Sequence, residues 1–488
     1  MKNHVPLFFN TNTIMIKKIS SQRKAGIELY DRFKDRLETA YQLSRKIVSF
    51  QSSKREPFYR WFKYKEGFSP ALVQYFLSEY TSEPGRILDP FAGAGTTLFA
   101  AQQLGWESHG IELLPVGTCA IQTREFLHSL DIEKLRKTAN HLWSDLLSLK
   151  NYDIYIQHIS ITKDAYPQET EEQLNKYLTL CSTIRDQSIK NVLEFAVFSI
   201  LEEISYTRKD GQYLRWDYRS KRNLSGKPFD KGPILSFEKA IGNKIHQIIE
   251  DISPAQAKLF TEESEQTDRQ FPITVTVGSC LEKLIDYENN YFDFIITSPP
   301  YCNRYDYTRT YALELVFLGY DNDQVRDLRQ SMLSCTVENK EKISLMKEFY
   351  RSNGKQKVFD LIVDVYERSD AMKEINAVLE TLNQKKLLNN NGIPRMVKNY
   401  FFELCFVIYE LYRICKPGAY CVMVNDNVRY GGEEIPVDLI LSEFAESFGF
   451  TVKKIFVLPR GKGNSSQQMG NYGRTEIRKC VYLWQKEK

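Results

Sequence analysis

The stretch Arg86-Ile87-Leu88-Asp89-Pro90-Phe91-Ala92-Gly93-Ala94-Gly95-Thr96-Thr97 constrains the fold of this chain more than any other. A short apolar run ends in an acid, two glycines follow, and an apolar segment from Leu98 to Leu104 begins at once. The first run is too short for a helix and reads as a buried strand, the glycines as a tight turn, and the second segment as a helix. Trp106 to Glu112 then gives a second strand that also closes in a carboxylate. Strand, glycine turn, helix, strand is the unit of a doubly wound α/β sheet, whose ligands sit at the carboxyl ends of the strands. The turn lacks the third glycine of the dinucleotide fingerprint and the lysine of a phosphate-binding loop, so neither a pyrophosphate nor a triphosphate is indicated. A plain structural turn accounts for two glycines equally well.

Strand patterning returns at Ile273 to Gly278, Phe292 to Thr297, Ala419 to Asn425, Val452 to Leu458 and Lys479 to Trp484, with a helix over Pro436 to Phe448. Between the early and late strands the chain turns helical and polar twice, from about Val116 to Phe260 and from about Ala312 to Asn390. Ser69-Pro70 reads as an N-cap and first helical residue. Ahead of it, Met1 to Arg55 holds 12 Lys+Arg against 4 Asp+Glu, with a helical period through Gly26 to Val48. The sum is one α/β sheet interrupted twice by helical material.

Over the whole chain, 66 basic residues nearly balance 62 acidic ones, so any nucleic-acid footprint must be local. Nine scattered cysteines with no CxxC pair predict reduced thiols and no metal site. No apolar run reaches about 18 residues, and the start does not read as a signal peptide. The expectation is a cytoplasmic protein without a membrane partner.

Two segments carry chemistry beyond the glycine turn. Ser298-Pro299-Pro300-Tyr301 follows a buried strand. Prolines have no N–H, so their carbonyls can face a ligand; a serine hydroxyl and a carbonyl accept from an exocyclic amino group, and a tyrosine ring stacks on a planar base. The plainer alternative is a Pro-Pro turn beside a core tyrosine. The stretch from Arg208 to Arg222 interleaves cations with aromatics. Arg208, Lys209, Arg215, Trp216 and Arg219 are its candidates for phosphate pairing and stacking, a solvated loop being the alternative. Asn464 and Arg474, in the polar segment between the last two strands, are further candidates. Asn425-Asp426-Asn427 ends a strand on the ligand side, which turn capping explains equally well.

Asp89 to Thr97 together with Thr297-Ser298-Pro299-Pro300-Tyr301 resembles the signature pair of the S-adenosylmethionine-dependent DNA amino-methyltransferases, the cytosine-N4 and adenine-N6 enzymes. The resemblance extends to Trp61–Leu77 and Lys416–Phe450 and covers about half the chain. It implies a Rossmann-like class I methyltransferase sheet with a terminal antiparallel hairpin and two helical insertions. The implied division is a basic helical extension over 1–56, catalytic segments over 57–125, 271–311 and 401–488, and insertions over 126–270 and 312–400, the first a candidate target-recognition region.

The resemblance further implies S-adenosylmethionine as cofactor, held by Phe68, Asp89, Phe91, Gly93, Gly95, Thr96, Thr97 and Glu112, with Glu112 on the ribose. Ser279 stands where the family commonly has Asp. Ser298, Pro299, Pro300 and Tyr301 would hold a flipped base of duplex DNA. Ser before Pro-Pro-Tyr leans towards cytosine N4, with adenine N6 the nearest rival, an RNA base-amino substrate another, and a non-catalytic DNA-binding frame a third. A cognate restriction endonuclease acting on the same site belongs to the same implication. Carbon-5 cytosine methylation needs a thiolate nucleophile, which the enzymes of that chemistry carry in a Pro-Cys pair, and no Pro-Cys dipeptide occurs in this chain.

Overall fold

A computed structural model describes residues 24–125, 127, 130–210, 213–222, 228–253, 271–459 and 477–488. In chain order its strands are β1 (Leu37–Thr39), β2 (Arg86–Asp89), β3 (Glu107–Glu112), β4 (Thr207–Lys209), β5 (Leu214–Trp216), β6 (Ile273–Val277), β7 (Phe292–Thr297), β8 (Cys415–Asp426), β9 (Val428–Tyr430), β10 (Glu433–Ile435), β11 (Phe450–Val457) and β12 (Lys479–Lys486). Eight of them form one sheet in the order β1-β11-β12-β8-β7-β2-β3-β6. From β8 to β6 every neighbour is parallel, whereas β12 runs antiparallel to both β8 and β11. β4–β5 and β9–β10 are separate antiparallel pairs.

The inner strands of the sheet are buried on both faces, which is why those such as β7 read as nearly continuous apolar runs. Alternation sorts each strand into two cores. Ile87, Phe294, Ile296, Val422, Val424, Val481 and Leu483 pack with Leu72, Phe76 and Ala100 from the helices Pro70–Tyr80 and Thr96–Gln103. Leu88, Ile295, Cys421, Met423, Tyr482 and Trp484 face the other core, which contains the helices Ile393–Ile414 and Val437–Phe448. The first insertion supplies the helices Ile132–Ser148, Gln168–Ser182, Gln187–Ile204 and Phe237–Asp251, and the second supplies four between Asn322 and Gln384. Among the described residues no helix is long and apolar enough to cross a membrane.

Two expectations are corrected. The helical period over Gly26 to Val48 yields a helix only over Lys24–Phe33. Leu37, Glu38 and Thr39 instead pair in parallel with Ile455, Phe456 and Val457. Saturating the edge of β11 outweighs the weak helical preference of three residues. Lys416-Pro417-Gly418 lies inside β8, which begins at Cys415 rather than at the expected Ala419.

Candidate active site

β2, β3 and β7 are neighbours, so their carboxyl ends bring Asp89, Glu112 and Ser298 to one edge of the sheet. Asp89 joins the two signature segments directly. One carboxylate oxygen accepts from the Thr97 hydroxyl at 2.6 Å, the other from the Thr297 hydroxyl at 2.7 Å and the Phe91 N–H at 3.1 Å. Burial raises its pKa to about 6, against the pull of those donors. Asp89 lines the cavity bordered by Gly93 and Thr96, while Thr97 is buried and its hydroxyl holds the Asp89 carboxylate.

The glycine turn needs its glycines. Gly93 has φ of +55°, and a Cβ there would lie 2.8 Å from the Tyr64 ring; Gly95, at +80°, opens the helix Thr96–Gln103. Glu112 accepts from the Gly93 and Leu114 N–H groups, both at 2.6 Å, and burial raises its pKa to about 7. A Cβ on Gly117 would stand 2.3 Å from the Gly93 carbonyl oxygen, so this third glycine closes the turn from outside the motif.

Three cavities meet here. The first, of about 450 Å³, is lined by Phe68, Phe91, Gly93 and Thr96, with Tyr64, Arg124 and Lys244. The second, of about 60 Å³, lies among Phe91, Glu112, Ser279 and Pro300. The third, of about 510 Å³, is lined by Tyr301, Tyr305, Asp426 and Lys479. Ser298 and Glu66 border all three. Ser298 donates to the Tyr301 hydroxyl at 3.2 Å, which leaves its oxygen able to accept. Burial pushes the Tyr301 hydroxyl pKa well up, with the nearby Asp426 charge second, so the ring stays neutral.

The residues fit S-adenosylmethionine. Gly93 brings bare backbone to the wall of the first cavity, a buried carboxylate ends β3, and aromatic walls border both adjoining cavities. Glu66 was not legible in the sequence. Its carboxylate accepts from the Tyr305 and Tyr311 hydroxyls, and burial raises its pKa. Tyr64 stacks on Tyr311 at 5.4 Å between ring centroids. No local pattern announces these partners, which stand far apart in the chain.

The basic–aromatic stretch folds as the β4–β5 hairpin, and its alternation decides which side chains reach solvent. Arg208 and Arg215 are exposed and directly opposite one another. Lys209, Trp216 and Arg219 are corrected. Lys209 is 3% exposed and pairs with Glu314 at 2.5 Å, while Trp216, 7% exposed, is covered by Arg222. Arg219 clamps Asp217 and the Gly232 carbonyl at 2.6 to 2.9 Å. Asn464 and Arg474 lie outside the described residues. All nine cysteines are free thiols, and no metal-binding cluster occurs among the described residues.

Comparison with known proteins places this geometry. A family model described as DNA methylase, of the N6/N4 type, matches residues 8–116. The type II methyltransferase M.AvaI of Nostoc sp. is 46% identical over 485 residues, covering 96% of this chain and 94% of that protein. M.BsoBI of Geobacillus stearothermophilus is 42% identical over 465 residues, covering 92% and 90%. M.MjaII of Methanocaldococcus jannaschii is 39% identical over 172 residues, 34% of this chain and 31% of its own. No solved structure matches the chain.

Proposed function

The chain belongs to the N6/N4 DNA methylases, a family that uses S-adenosylmethionine as methyl donor, and from that premise we propose that it methylates the N4 amino group of cytosine in duplex DNA. The observation that carries the reading is the meeting of cavities at Ser298, a neutral hydroxyl acceptor between the glycine-turn side and the Tyr301 side.

The cofactor supplies an electrophilic methyl group on a sulfonium. Phe68, Phe91, Gly93, Thr96 and Glu112 shape its side of the cleft, with Ser279 at the small cavity. An aromatic amine is a poor nucleophile because its lone pair is conjugated with the ring. The Ser298 oxygen and the Pro299 carbonyl accept its two hydrogens and turn the pair out of conjugation, towards the donor. Pro299 and Pro300 hold that loop without N–H groups that would compete. Tyr301 stacks on the extruded base and offsets part of the few kcal/mol that extrusion costs. The new N–C bond would replace the donor's S–CH3 bond, whose electron pair stays on sulfur, and the surplus amino proton would pass to solvent along the hydrogen bonds at Ser298.

Arg208 and Arg215 lie directly opposite one another on the exposed face of the hairpin, Arg215 with Asp210 at 3.6 Å, and two cations so placed attract a further anion. A DNA phosphate is the anion we assign to them. As a type II methyltransferase of a restriction–modification system, the protein would act in the cytoplasm and share its site with a cognate endonuclease. Mass spectrometry of nucleosides from DNA treated with enzyme and cofactor tests the base. N4-methylcytosine is expected, and N6-methyladenine alone would overturn the reading.

A further inference from the structure

The cavity beyond Ser298 holds an ion pair that the mechanism above does not use. Asp426 is the last residue of β8 and Lys479 the first of β12, and the two are direct cross-strand partners. The ammonium lies 2.7 Å from the Asp426 carboxylate, with more than a third of the lysine side chain exposed. Both line the cavity that contains Ser298 and Tyr301. β8 borders β7, whose end feeds Ser298, so the pair and the amino-accepting group share one cavity at neighbouring strand ends.

The other cations of this cavity have declared duties. Lys209 is bound to Glu314, and the Lys65 ammonium and Arg45 guanidinium are turned to the backbone carbonyls of Lys209 and Pro459, whereas Lys479 is fixed by a carboxylate on the neighbouring strand. An ammonium carries three donors, and the contact with Asp426 uses one. A base that presents its amino group to Ser298 turns the remainder of the same edge away from that loop. For cytosine that remainder is the ring nitrogen N3 and the O2 carbonyl; for adenine it is N1 and a C–H. Only cytosine has an oxygen to offer at the far position.

We propose that Lys479, held in place by Asp426, donates to the O2 carbonyl of the target cytosine and so selects cytosine over adenine. The inference rests on the cytosine reading above. An adenine in the same position would cover the ammonium with a C–H, and a donor that the bound base shields from water without giving it an acceptor is penalised.

The test uses full-length enzyme with cofactor and duplexes carrying its methylation site, located by sequencing modified bases. In one duplex the target cytosine is replaced by a 2-aminopyridine C-nucleoside, which keeps the amino group and ring nitrogen but has C–H in place of the carbonyl. Wild type should lose about 10- to 100-fold in kcat/KM on the analogue, the range of one charge-assisted hydrogen bond. Lys479→Met should lose a similar factor on cytosine while treating both duplexes alike, and Lys479→Arg should recover part of the preference. A lysine that merely closed the ends of β8 and β12 would leave the cytosine-to-analogue ratio of Lys479→Met at the wild-type value, which overturns the proposal. An undiminished wild-type rate on the analogue overturns it without any variant. The failure of the underlying reading looks different, because N6-methyladenine would then be the product whatever stands at 479.

Discussion

Asp89 gives the sharpest stability prediction, because its burial has a cost that depends on pH. Its carboxyl pKa rises from 3.8 to about 6 in the fold, burial outweighing the three hydrogen bonds it accepts. A raised pKa means that the folded state binds the proton more tightly than the unfolded state. The associated stability is fully present below about pH 4 and is lost as pH climbs through about 6. At 1.36 kcal/mol per tenfold, the loss amounts to about 3 kcal/mol. Asp89→Asn keeps the shape and cannot ionise; its amide oxygen accepts from one threonine, and the other hydroxyl can rotate to accept from the amide. The variant should match wild type near pH 4 and exceed it by about 3 kcal/mol near pH 7.5. Asp89→Ala strands the Thr97 and Thr297 hydroxyls and should be less stable than Asp89→Asn by about 2–5 kcal/mol at every pH. Urea unfolding followed by tryptophan fluorescence, without cofactor, measures both differences across pH 4 to 8. The Asp89 charge also helps to raise the Glu112 pKa, so both variants ease the ionisation of Glu112 and add to the gain on the alkaline side. A variant-minus-wild-type difference that stays flat with pH would refute the assignment of Asp89 as a buried clasp.

Tyr301→Ala should cut single-turnover methyl transfer about 10- to 100-fold, the worth of one stacked base, and leave calorimetric cofactor affinity within about twofold. Gly117→Ala should reverse that pattern, since the new Cβ pushes the Gly93 carbonyl; cofactor affinity should fall by about 1–3 kcal/mol, read by the same titration. Lys209→Ala leaves the Glu314 carboxylate buried without its partner and should lower unfolding stability by about 3–5 kcal/mol. Arg215→Ala should change stability by less than about 0.5 kcal/mol. It should also reduce the slope of log DNA affinity against log salt by about one.

The sequence makes the sheet legible wherever a strand is buried on both faces, since apolar runs such as Phe292 to Thr297 have few other destinies. The helix Gln187–Ile204 is equally plain from its period. β1 is not: Leu37 to Thr39 become a strand only because the edge of β11 is there to receive them. The basic hairpin shows the same division between local and distant causes. Its strict alternation puts Arg208 and Arg215 on one face and Lys209, Leu214 and Trp216 on the other, and that much could have been read from the spacing. That Lys209 is buried in contact with a carboxylate follows from Glu314, on a helix of another segment. In the site, the glycine turn and the double proline are local motifs, whereas Glu66, Gly117 and the Asp89–Thr297 bond depend on elements that meet only after folding.

The central claim is that one cleft holds a methyl donor at the ends of β2 and β3 and an extruded pyrimidine beside the end of β7. Photocrosslinking tests it most directly, using a duplex with 5-iodocytosine at the methylated position, irradiated with enzyme and cofactor and mapped by peptide mass spectrometry. The crosslink should fall on Tyr301 and be lost with Tyr301→Ala. A crosslink confined to the helices between Ile132 and Ile204, away from the sheet edge, would contradict it.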